Sequence, residues 1–120
     1  ESHNNLGLIF HEKQDLGQAI DQYQRAVQMA PEVGFYHSNV GNAHLDMNQL
    51  DQAKQAFERA LELDAGLTNA RILLGDIHAR RGAHARAIEL WESIPSDGSV
   101  GKSLRDKLAE ARRRLAAQRH

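Results

Sequence analysis

Three groups of residues in this chain have types and spacings that could carry chemistry. Gly101, Lys102 and Ser103 stand together just ahead of a stretch with helical periodicity. That order resembles the end of a loop whose backbone N–H groups cradle phosphates. Such a loop needs an earlier glycine at position 96 and a strand before it, but the residue there is Ser96 and the preceding pattern is helical. Seven histidines raise the question of metal. Metal-binding imidazoles commonly sit one turn apart on an exposed face beside a carboxylate. No His-x-x-x-His pair occurs, and His37, His44 and His78 fall on the side expected to pack. Ser38 follows His37 directly, and adjacent helical residues point apart, so they form no nucleophile–base pair. The chain has no cysteine, which removes thiolate nucleophiles, thiolate zinc sites and disulfides. The expectation is no enzymatic activity, no metal and no cofactor. What remains is recognition: amides, carboxylates and apolar side chains that could meet a partner.

The elements that would position them repeat. Gly7, Gly41 and Gly75 are each 34 residues apart, as are Ala19, Ala53 and Ala87, and Tyr23, Phe57 and Trp91. Leu6, Val40 and Leu74 keep the same register. Three residue classes sharing one period mark a repeat architecture. Each unit reads as two helices. Leu6, Gly7 and Phe10 lie on one face of the first, with His3 added to it. Leu16, Ala19, Ile20, Tyr23, Ala26 and Val27 form the apolar stripe of the second, with Gln18, Asp21, Gln22 and Arg25 on its wet side. Asp15 can cap that helix, Asn48 or the groups around Gln49 can cap its counterpart in the second unit, and Gly82 marks the turn in the third. A glycine inside a helix costs up to about 1 kcal/mol relative to alanine. Close approach of a ring across the missing side chain offsets that cost.

The period and the order Leu-Gly, aromatic, Ala, aromatic, Ala, Pro resemble the tetratricopeptide repeat. Leu6, Gly7, Phe10, Ala19, Tyr23, Ala26 and Pro31 carry the resemblance in the first unit, and Val40, Gly41, Ala53, Phe57 and Ala60 in the second. Leu74, Gly75, Ala87 and Trp91 carry it in the third, where Pro95 cuts the last helix short. The resemblance covers residues 1–95 and implies an all-α, right-handed superhelix of three helix-turn-helix repeats, at 1–33, 34–67 and 68–95. A loop is expected at 96–101. A capping helix and tail follow at 102–120, its apolar stripe being Leu104, Leu108, Ala111 and Leu115. The arginines of that helix give it a polar outer side, as the end of a stacked array requires.

The same resemblance implies a non-catalytic protein-interaction scaffold that receives a peptide or extended segment in a groove lined by the first helix of each pair. At about 100° per residue, the faces opposite the packed ones hold Asn5 and Leu8, then Phe35, Asn39 and Asn42 with Leu45 at the flank, then Asn69, Asp76 and Arg80. Amides suit a main chain, apolar groups take side chains, and Glu12, Asp46 and Asp76 favour a partner with basic residues. Ile9 occupies the position of Ala43 and Ile77, with no earlier helix in the sequence to meet it. Either further repeats precede it in a longer protein, or it meets another chain, which makes it the candidate for self-association into a homo-oligomer. A regulatory domain of a larger enzyme is the remaining alternative. The charge is uneven, −6 over residues 1–66 and +5 over 67–120, but the sum is −1 and the basic end lacks interleaved aromatics, so nucleic acid is not an expected partner. No apolar run is long enough for membrane insertion. The chain does not begin with methionine. Its compartment is not read from its start, and cytoplasm is only the default.

Overall fold

The computed structural model describes residues 2–94 and 101–118. The described residues form seven helices and no strand: α1 (Ser2–Glu12), α2 (Leu16–Met29), α3 (Gly34–Asp46), α4 (Leu50–Leu63), α5 (Thr68–Arg80), α6 (His84–Glu92) and α7 (Gly101–Gln118). Pro95 and positions 96–100 of the expected loop lie outside the described residues. Gly101, expected in that loop, instead opens α7. Two compact units divide the chain, residues 1–70 and 71–120.

In the first unit the expected glycine–ring contacts are present. A Cβ added at Gly7 would lie 2.5 Å from the Tyr23 ring, and one at Gly41 would lie 2.9 Å from that of Phe57. Only a bare backbone admits rings this close. Ala19, Ala53 and Ala60 are fully buried beside them, so α2 and α4 each press small residues and one ring against the helix before. Tyr23 and Ala19 also form a core with Val40 and Ala43 of α3, joined at its edge by Ile20 and Val27. The α2 helix thus faces two ways.

One expectation fails here. Leu6 was placed on the packed face of α1, yet it is 43% exposed, while Val40 and Leu74 in the same register are 9% and 2% exposed. Val40 is covered because α2 packs on that side of α3. Within the first unit α1 has no helix in the corresponding place, and Ile9, in the register of the fully buried Ala43, is exposed with Leu6.

The first helix of each pair ends in the same way. Gln14, Asn48 and Gly82, again 34 apart, have φ of 62°, 60° and 79°. Each next residue reaches back to a helix carbonyl: Asp15 N–H to Phe10, Gln49 to His44 and Ala83 to His78, at 2.9, 2.9 and 2.8 Å. These are left-handed C-terminal caps. Asn48 therefore ends α3 and does not cap α4, and α4 has no side-chain cap bond. Gln49 is occupied elsewhere, accepting from His44 at 2.7 Å. Asp15 caps α2 as expected, accepting from the Gln18 amide. Left-handed backbone costs a side-chain-bearing residue roughly 1–2 kcal/mol. Gly82→Ala is therefore expected to lower stability by about 1 kcal/mol or more, while Gln14→Gly leaves it unchanged or raises it, the relief being partly offset by unfolded-chain entropy. Urea unfolding of the two variants checks the opposite signs.

In the second unit Trp91 lies across Gly75, with its indole N–H donating to the Ile72 carbonyl at 3.1 Å. Ala87, Trp91, Ile94, Leu104 and Ala111 form the core, edged by Ile72, Ala79, Ile88 and Leu108. The apolar stripe of α7 is thus what covers the third pair. Polar ties fasten it: Lys107 to Asp76 at 2.8 Å, Arg112 to Glu92 at 2.5 Å, and the Gln118 amide to the Gly82 carbonyl at 2.9 Å.

Candidate functional site

The first unit offers a surface built by α1 and α3. Asn4, Leu8 and His11 share one stripe of α1, and Phe35, Asn39, Asn42 and Asp46 share one stripe of α3. Two side-chain bonds join the stripes. The Asn39 amide donates to the Asn4 carbonyl oxygen at 2.6 Å, in the interior. His11 Nε2 meets an Asp46 carboxylate oxygen at 2.5 Å. With Nε2–H donating there, Nδ1 is free to accept from the Tyr23 hydroxyl, 3.1 Å away. Burial, and after it the negative charge of Asp46, push the Tyr23 hydroxyl up to about 12.

These ties decide which predicted contacts are open. Leu8 is 40% and Phe35 50% exposed, Asn5 is exposed, and Asn42 is half-buried. Asn39 and Leu45 were expected on the open face and are buried instead. The reason is crowding: α3 is packed by α2 and α4 and tied to α1, so its free arc is narrower than that of α1. Angular arithmetic on a lone helix overlooks this. Asn69 is exposed at the start of α5. In the second unit Arg80 is exposed, while Asp76 is half-buried and paired with Lys107. Asp76 is therefore already neutralised, where the sequence suggested a carboxylate awaiting a basic partner.

The sequence reading missed the Tyr23–His11–Asp46 chain. The signal was a hydroxyl-bearing ring in the first unit where the others have Phe57 and Trp91. It also missed His84, which is buried although it opens α6. No local pattern marks that residue, because burial is set by segments distant in sequence; it shares a cavity lining with residues of α5 and α7. Among the described residues no cluster of three or more His, Asp or Glu could hold a metal ion, and no helix is long and apolar enough to cross a membrane.

This arrangement has counterparts. The tetratricopeptide repeat family matches residues 1–33 and, separately, 41–96. A peroxisomal targeting signal receptor from Kluyveromyces lactis is 26% identical over an alignment of 107 residues that covers 82% of this chain and 19% of the receptor. The chain thus spans about a fifth of that relative's length. The TPR2B domain of yeast Sti1, solved in complex with an Hsp70 peptide, has the same fold at a TM-score of 0.87 and 19% identity, covering 93% of this chain and 94% of that one. The first TPR of Spaghetti (RPAP3), bound to the HSP90 peptide SRMEEVD, scores 0.88 at 16% identity over 96% and 91% of the two chains. Matching repeats along most of the length, with a ring seated on a glycine in each pair, place this chain in the tetratricopeptide repeat family.

Proposed function

We propose that this chain is a non-catalytic scaffold that binds an extended segment of a partner protein along the α1–α3 face of its first unit. The observation that carries this reading is the pair Leu8 and Phe35, two large apolar side chains left exposed on stripes that are already tied together. A surface held rigid before binding loses little entropy when a ligand arrives. Leu8 and Phe35 take apolar side chains of the segment, while Asn5 and Asn42 serve its main chain. Glu12 and Asp46, both exposed, favour basic residues in it. Peptides bound to TPR domains, such as those in the Sti1 and Spaghetti structures, support the class of ligand.

The test is selection of peptides from a random library on the intact chain, followed by affinity measurement on a Leu8→Ala/Phe35→Ala variant. The expected outcome is a set of peptides carrying Lys or Arg whose binding falls about tenfold or more, helical content being retained. Undiminished affinity would move the site elsewhere. A second reading rests on Leu6 and Ile9, exposed on the opposite flank of α1: two copies pair through that flank. Sedimentation at two concentrations separates the readings, since a strict monomer removes the second and leaves the first intact.

A further inference from the structure

The second unit holds an open cavity of about 700 Å³ lined by residues of α5, α6, the turn between them and α7. Trp91, Ala79 and Ala111 supply its apolar wall, and charged side chains line the rest. Most of these charges are satisfied by one another. Lys107 donates to Asp76 and lies 6.0 Å from the centre of the Trp91 ring. Glu110 accepts from Arg114 and Arg113; the Arg114 hydrogen bond, and after it the Arg113 charge, hold its carboxyl below the usual range. Two are left over. The side chains of Arg80 and Asp106, both exposed, make no hydrogen bond or ion pair among the described residues. A third group is also incomplete. His84 lines the cavity, is only 7% exposed, and its buried Nδ1 has no partner among the described residues. A buried nitrogen without a partner disfavours the empty state. That nitrogen is enclosed, so a ligand atom reaches it only when the imidazole ring turns it toward the cavity.

We propose that this cavity binds a dipolar ligand of short-peptide size. Its carboxylate pairs with Arg80 and its ammonium with Asp106. Its apolar body covers Trp91, and a main-chain amide completes His84 Nδ1 once the ring has turned that nitrogen into the cavity. The charges argue for a dipole. Arg80, Lys107 and Arg114 oppose Asp76, Asp106 and Glu110 around one opening, so a simple anion that gained Arg80 would face Asp106, and a simple cation the reverse. The volume lies within the usual range of ligand pockets, about 300–1,000 Å³. The site shares no residue with the α1–α3 face, so either proposal can fail alone.

Trp91 is the chain's one tryptophan, so its emission reports occupancy directly. The probe is leucyl-leucine with both ends free, titrated into the whole chain. The expected result is a saturable emission change. Amidating the C-terminus of the dipeptide, or introducing Arg80→Gln, weakens binding about tenfold, and the two together weaken it no further. N-acetylation and Asp106→Asn form the same kind of pair. Both residues are exposed, so the variants keep the fold, which circular dichroism verifies. An absence of any saturable change up to about 10 mM dipeptide would overturn the proposal. So would equal binding of the doubly capped dipeptide, or an unaltered affinity in Arg80→Gln.

Discussion

Gly75→Ala is expected to destabilise the second unit by about 2–3 kcal/mol, although alanine is the better helix former by about 1 kcal/mol. The added Cβ would lie 2.2 Å from Trp91 Nε1 and 2.6 Å from its Cε2. Real side chains do not approach so closely, so the indole must leave. Moving it breaks its bond to the Ile72 carbonyl and disturbs the core it shares with Leu104 and Ala111. Two other glycines calibrate the effect. Gly41→Ala brings a Cβ to 2.9 Å from the Phe57 ring, a milder overlap with no hydrogen bond at stake, and its cost is expected to be smaller. Gly17 lies in α2 with nothing within 4 Å of an added Cβ. Gly17→Ala is expected to stabilise by up to about 1 kcal/mol. Urea unfolding of the three variants should rank them in that order. A neutral or stabilising Gly75→Ala would mean that the ring-on-glycine contact does not hold this pair together.

Tyr23→Ala is expected to cost about 3–5 kcal/mol, enough to unfold many domains of this size. The side chain is fully buried between Gly7 and the core formed with Val40 and Ala43. Its removal leaves a cavity there and takes away the hydroxyl that meets His11. Tyr23→Phe separates the two contributions. It keeps the ring, as Phe57 does in the second pair, and is expected to cost about 1 kcal/mol for the lost hydrogen bond.

The two chains should also differ in alkali. The Tyr23 hydroxyl ionises near 12 when folded, against about 10 when unfolded, because burial and Asp46 disfavour the anion. Between those values the folded state holds the proton that the unfolded state has released. Stability therefore falls as pH rises above about 10, by about 2 kcal/mol before the folded group itself ionises. Tyr23→Phe removes this contribution, so its unfolding midpoint should fall less steeply between pH 10 and 12. Parallel slopes for the two proteins would show that Tyr23 titrates normally.

Much of this architecture was legible in the chain before folding was considered. Gly7, Gly41 and Gly75 announce the contacts with Tyr23, Phe57 and Trp91 because a period of 34 carries both partners of each contact together. The stripe of α7 was equally plain, since Leu104, Leu108 and Ala111 return to one side of a helix whatever they cover. The turns were half legible. Gly82 declares a left-handed residue, but Gln14 and Asn48 adopt the same conformation, imposed by the helices on either side.

The open surface was the poorest part of the reading. Phe35 and Leu8 stay exposed as expected, yet Asn39 turns inward to Asn4, Asp76 is taken by Lys107 from 31 residues away, and Leu6 emerges from the face assigned to the core. Periodicity is a property of neighbours along one helix, so the repeat, the pairing of rings with glycines and the family are all written in the order of the residues. Exposure depends on what a distant segment lays over each face. Those packing contacts, and not the order of residues, set which amides and charges are spent within the protein and which, like the side chains of Arg80 and Asp106 and the buried nitrogen of His84, have no partner among the described residues.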